Sequence, residues 1–313
     1  MTYAVLFPGQ GSQHADMLPW LEDDAAAAPV LRAMADTLGA DWRQRLADAD
    51  FLASNRVAQT LVTGVSLAAW AAVCAQLSAL QDAPAQPEVV AGYSVGELAA
   101  VACAGAIDTA TALRLAGLRA QAMDEAVRGL ETGLLSVSGL NESTLADTLG
   151  GATDRLRTET AIRIAPDHVI LAGEDASLRA AEPLLTAAGA QCRRLPIRVA
   201  SHSSWMQAAA ESFAVSLRQV AWQSPRCAVA CNATGAALRR ADPLRAALAQ
   251  QIDHTVRWDV CLESVAERQV DRVIEIGPGR ALGAMWARQH PQIPVRSLED
   301  FRSARSAAAW LVG

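Results

Sequence analysis

Lysine is absent from the 313 residues, and all 27 basic side chains are arginine. Schiff-base chemistry and a lysine general base are therefore excluded. The six cysteines (Cys74, Cys103, Cys192, Cys227, Cys231 and Cys261) contain no C-x-x-C pair. Most lie in apolar runs, such as AAVACAG around Cys103, where a free thiol behaves as a small hydrophobe. A reduced protein is expected, not a disulfide framework. No basic stripe is visible, and a net charge of −6 with a pI near 5.4 makes nucleic acid an unexpected partner. Met-Thr-Tyr-Ala-Val at the start carries no basic n-region, so no signal peptide is expected. No uninterrupted apolar run approaches membrane-spanning length. These absences together predict a cytoplasmic chain with no membrane partner. Internal repeats and low-complexity tracts are also missing.

What remains is the balance of a globular protein: 51% apolar residues and 19% charged ones, with mean hydropathy just above zero. The length allows one large domain or two modest ones with a substantial core. An apolar run from Tyr3 to Phe7 ends in Pro8-Gly9-Gln10-Gly11, a buried strand entering a tight loop. Residues 55–80 have a helical pattern rich in Ala and Leu, closed by a breaker segment at Pro84 and Pro87. Next comes a strand, Val89 to Tyr93, then a helix from Val95 to Ala104 that stops at Gly105. Asp108 can cap a further helix running to about Val127. Such alternation predicts an α/β fold with a parallel sheet.

The rhythm changes in the middle third. Residues 133–138 read as a strand, 141–149 as a helix, 161–165 and 168–172 as strands around Pro166-Asp167, 175–188 as a helix and 191–196 as a strand. The order β-α-β-β-α-β is ferredoxin-like. The expected organisation is a small α+β domain at 128–196 inserted into a large α/β domain formed by 1–127 and 197–313. The large domain resumes with a buried strand at 273–276, whose Gly277-Pro278-Gly279 turns into a C-terminal helix.

Gly92-Tyr93-Ser94-Val95-Gly96 is a G-x-S-x-G on a predicted strand-to-helix turn. Small residues are needed on both sides of a serine held at so sharp a corner. The turn aims Ser94 Oγ outward at a helix N-terminus and directs the Val95 amide at the place an oxyanion would form. As a motif alone it is weak; its placement strengthens it, and a merely tight turn is the bland reading. A serine nucleophile needs a base, and there are five histidines: His14, His168, His202, His254 and His290. Composition leaves His202 and His254 both open as that base, and a satisfied structural histidine is otherwise the commoner case. Arg119 is flanked at helical spacing by Leu115, Ala116, Ala122 and Met123, so its guanidinium projects from a buried stripe. A buried arginine needs an anion. Either an internal carboxylate such as Glu97 or Glu125 supplies it, or a substrate carboxylate does, held bidentately.

Several separated motifs, agreeing in order and spacing across nearly the whole chain, resemble the malonyl-CoA:acyl carrier protein transacylases. They are Phe7-Pro8-Gly9-Gln10-Gly11-Ser12-Gln13, the Gly92–Gly96 elbow followed by Glu97, Arg119, Ser201-His202 and Ile276-Gly277-Pro278-Gly279. The resemblance implies an α/β-hydrolase-like large domain, Ser94 as nucleophile and His202 as its base. It also implies an oxyanion hole from the Gln10 region and the Val95 amide, and Arg119 as the clamp on the malonyl carboxylate. Gln251 matches the residue whose main-chain carbonyl steadies the histidine, so no acidic third member is required. The implied substrates are malonyl-CoA and a carrier-bound phosphopantetheine-type thiol, with no bound cofactor or metal and an acyl carrier protein as partner. Tyr93 departs from the histidine usual in fatty-acid-synthesis members. The Gly-Tyr-Ser-Val-Gly-Glu-Leu variant looks more like the epsilon subunit of bacterial malonate decarboxylase, whose carrier subunit would then be the partner. Two rivals stand beside this reading. An α/β-hydrolase esterase would need a histidine near the C-terminus, where only His290 is available; a non-catalytic carrier-docking subunit would keep the site as a relic.

Overall fold

Five consecutive buried residues, Tyr3–Phe7, open the computed structural model, which describes residues 1–80, 86–150 and 156–313. Pro84, half of the expected breaker, lies outside the described residues. In chain order the described strands are β1 (Tyr3–Phe7), β2 (Val89–Gly92), β3 (Thr132–Ser138), β4 (Thr158–Ala165), β5 (His168–Glu174), β6 (Gln191–Arg194), β7 (Ala228–Ala230), β8 (Ala237–Leu238), β9 (Val256–Arg257), β10 (Arg272–Glu275) and β11 (Val295–Ser297).

Six of them form one sheet in the order β11-β10-β1-β2-β7-β8, parallel except where β8 turns back on β7. Its central strands are apolar on both faces, as a parallel sheet covered by helices requires. Tyr3, Val5, Phe7 and Val90 face a core made with the helices Asn55–Ser78, Gly96–Cys103 and Thr109–Ala126. The alternate residues Ala4, Leu6, Val89 and Ala91 face a second core with Trp258, Leu262 and Trp286. This is the mixed α/β architecture expected.

The other five strands form a sheet in the order β6-β3-β5-β4-β9. Its β3, β4, β5 and β6 pair antiparallel, and β9, from outside the 128–196 segment, joins β4 in parallel at the edge. Period-two alternation again splits its faces. Leu134 and Ile170 join the core shared with the first sheet, while Leu135 and Leu171 pack under the helix Asp175–Ala187.

Helix Asn55–Ser78 is, by length and composition, long and apolar enough to cross a membrane, yet 78% of its most apolar window is buried inside the fold. Its residues 58–69 are buried on every side because other helices surround them. Ser54 caps its start and Asp108 caps Thr109–Ala126, accepting from the Thr111 N–H at 2.7 Å. The consequence for function is positional. Strands β1, β2 and β7 run parallel, so the loops after their C-terminal ends gather at one edge of the sheet.

Candidate active site

Where β2 ends, the chain turns within three residues into the helix Gly96–Cys103. A Cβ on Gly92 would lie 2.1 Å from the Gly96 carbonyl carbon, and one on Gly96 would lie 2.4 Å from the Phe7 oxygen. Only glycine lets the strand, the turn and the β1 loop approach so closely. Ser94 between them has φ +54°, a left-handed conformation that costs a serine about 1–2 kcal/mol. A Cβ on Gly9 would meet the Tyr93 oxygen at 2.5 Å, so the Gly9-Gln10-Gly11 loop packs backbone to backbone on the elbow. Among the described residues neither the Gln10 N–H nor the Val95 N–H has a protein acceptor. Both N–H groups are therefore unpaired where the β1 loop packs on the elbow.

Ser94 Oγ lies 2.8 Å from His202 Nε2. On the far side of the ring, Nδ1 faces the main-chain carbonyl of Gln251. A carbonyl can only accept, so Nδ1 carries the hydrogen and Nε2 is left to accept from the serine. Burial, and next the Arg119 charge, push the imidazole pKa down to about 3, with the Gln251 carbonyl opposing. His202 is thus neutral in the resting site. It too has a left-handed backbone, φ +62°, pinned by its N–H to the Ile252 carbonyl at 2.9 Å.

Arg119 is 1% exposed, and no carboxylate forms an ion pair with it among the described residues. Glu125, one internal candidate, pairs with Arg128 instead. Two neutral amides hold the guanidinium: Nη1 donates to Gln59 Oε1 at 2.7 Å and Nη2 to Gln251 Oε1 at 2.9 Å. Nη2 also lies 3.3 Å from Ser94 Oγ, and Nε has no partner. Burial lowers its pKa only to about 10, so the group stays charged. Glu97, the other internal candidate, reaches it through an intermediary. Its Oε2 accepts from Gln251 Nε2 at 3.1 Å, and burial raises the carboxyl pKa to about 8.

The remaining histidines are elsewhere. His14 pairs with Glu299, His254 with Asp253 on the surface, and His290 packs on the Trp286 ring. His168 accepts or donates at 2.9 Å to Ser136 Oγ, but Ser136 is in mid-strand, with no helix N-terminus behind it. Both line a cleft of about 310 Å³ that opens onto Gln10 and Tyr93 between the two sheets. Sequence reasoning did not single out Gln59 or Asn232. A glutamine four residues after an asparagine in an otherwise apolar helix was the available signal for Gln59. Among the described residues no group of three or more His, Cys, Asp or Glu side chains is placed to hold a metal, and all six cysteines are free thiols.

Residues 4–310 match the acyl transferase domain family. The malonyl CoA-acyl carrier protein transacylase of Haemophilus influenzae is 30% identical over 321 residues, covering 99% of both chains. The chain belongs to the malonyl-CoA:acyl carrier protein transacylase family. Structures of the transacylase family agree. The acyl-carrier-protein S-malonyltransferase of Burkholderia pseudomallei superposes with a TM-score of 0.89 at 32% identity, covering 99% of this chain and 100% of that one. A malonyl-transacylase solved with its type II polyketide acyl-carrier protein superposes with a TM-score of 0.89 at 28% identity, covering 99% of each.

Proposed function

We propose that the chain carries malonyl from coenzyme A to the thiol of an acyl carrier protein through a malonyl ester on Ser94. The carrying observation is that Arg119 has no carboxylate partner among the described residues and that its Nε is unpaired. A charged, buried guanidinium whose two internal partners are neutral amides is short of one anion. Its Nε–Nη2 edge adjoins the serine oxygen. In a malonyl group one methylene separates the reacting carbonyl from the carboxylate, so a carboxylate on that edge places the thioester carbon at Ser94 Oγ.

His202 takes the Ser94 proton as Oγ bonds to the thioester carbon. The Gln10 and Val95 amides hold the tetrahedral oxyanion. Its collapse breaks the C–S bond, and His202 returns the proton to the departing coenzyme A thiolate. The carrier thiol then gives its proton to His202, attacks the ester carbon and releases Ser94 as the hydroxyl. Gln251 serves both halves, with its carbonyl on His202 and its side chain on Arg119. The cleft between the two sheets, lined by Gln10, Tyr93, Ser136 and His168, is the place where water is kept from the ester.

The names of the relatives favour an acyl carrier protein of fatty-acid or polyketide synthesis as the acceptor. Tyr93 favours a second reading, service to the carrier subunit of malonate decarboxylase. Presenting malonyl-loaded protein with each carrier in turn separates them. For the central proposal, intact mass of the protein after malonyl-CoA should rise by one malonyl group. The gain should map to Ser94 and vanish in Ser94→Ala. An unmodified wild-type chain would refute it.

A further inference from the structure

The nucleophile's corner has an unusual support. Ser94 is two residues short of its helix, and the last ladder bond of the strand before it is the Tyr93 N–H to the Phe7 carbonyl at 2.9 Å. Its own N–H therefore has no backbone acceptor. Asn232 supplies one. This residue is fully buried, two positions beyond the end of β7, the strand that pairs with β2. Its Oδ1 accepts from the Ser94 N–H at 2.7 Å, and its Nδ2 donates to the Gly92 carbonyl at 2.7 Å.

Those two atoms flank Tyr93. In a parallel ladder a residue bonds the carbonyl before and the N–H after its partner. The Asn232 carboxamide thus acts as a surrogate peptide group, extending the β2–β7 ladder by one bridge after the backbone has left it. The main chain of Asn232 is itself anchored, its N–H to Glu97 Oε1 at 3.2 Å and its carbonyl to the Arg257 N–H at 2.8 Å. Gln251 Nε2 holds the Ser94 carbonyl at 3.0 Å, so both peptide groups of the serine are clamped by side chains.

We infer that Asn232 is a positioning residue, which holds Ser94 in its left-handed conformation and so sets Oγ against His202. This rests on the reading of Ser94 as nucleophile. Asn232 touches neither Arg119 nor the place of the acyl group, so its loss acts on the chemical step and leaves binding of the carboxylate intact. Misplacing a nucleophile by about 1 Å costs on the order of 100-fold.

The test uses Asn232→Ala and Asn232→Ser, with folded fraction measured by near-UV circular dichroism and thermal melting. Per folded enzyme, kcat should fall about 10- to 100-fold for malonyl and acetyl substrates alike, with KM for malonyl-CoA nearly unchanged. Modification of Ser94 by phenylmethylsulfonyl fluoride, which needs no acyl clamp, should slow to the same degree. A variant that melts earlier but keeps wild-type kcat overturns the inference, as does a loss confined to KM. If wild-type Ser94 takes up no malonyl group, the functional reading falls first; if it does and the variants match it, only the role of Asn232 falls.

Discussion

Replacing Arg119 with alanine separates recognition of the acyl group from the chemistry performed on it. The guanidinium is buried, charged and without an internal carboxylate. Removing one member of a buried ion pair costs about 3–5 kcal/mol. At about 1.4 kcal/mol per factor of ten, malonyl transfer should lose roughly 100- to 4,000-fold in kcat/KM. Acetyl transfer has no carboxylate to lose. Its Ser94–His202 contact survives, and removal of the positive charge beside His202 favours the base. Acetyl kcat/KM should therefore change by less than about tenfold, less than the cost of one charged hydrogen bond. The assay follows thiol release from both thioesters under the same conditions and compares the two ratios, which cancels any loss of folded protein. Equal losses on the two substrates would make Arg119 a structural residue and refute the clamp.

Two pH predictions follow from the buried groups. With the His202 pKa depressed to about 3, single-turnover acylation of Ser94 should hold its rate from pH 7 down to pH 5. An ordinary histidine would lose most of it there, and a midpoint near 6.5 would contradict the neutral buried base. Glu275 is fully buried and held by the Leu282 and Gly283 N–H groups and by Ser297 Oγ; burial raises its pKa to about 7. Its folded form binds a proton more tightly than the unfolded chain, so its share of stability is complete below about 4.5 and is lost as pH rises through about 7. Denaturant unfolding of Glu275→Gln should show a flatter stability profile over that window than wild type; an unchanged slope would refute the assignment.

The sequence exposed the parts of this site that obey local rules. The elbow was legible because glycine at 92 and 96 is a steric necessity, and Arg119 because a charge in an apolar helical stripe violates the pattern. Long periodic elements such as Asn55–Ser78 and Thr109–Ala126 were readable within two residues of their ends. Strands β7, β8 and β9, of two or three residues, carry no periodicity and exist only because a neighbouring strand pairs with them. Choosing His202 over His254 needed family resemblance, since the Ser94–His202 pair spans 108 positions of chain. That Arg119 has no internal carboxylate became visible only once Gln59 and Gln251 were seen to hold its donors. Asn232 had no local signature whatever, because its value lies in reaching a strand that ended 140 residues earlier.

Gln251 joins two tasks that an engineer would wish to vary independently. Its peptide oxygen fixes the ring tautomer of His202, and its carboxamide oxygen accepts from the Arg119 guanidinium. Broadening this catalyst toward uncharged acyl groups by installing an aliphatic side chain at 119 would leave the carboxamide oxygen without its donor in a dry interior, although Nε2 would keep the Ser94 carbonyl and Glu97. A redesign that supplies a new donor for it recovers the stability lost there, while the peptide oxygen keeps the imidazole oriented throughout.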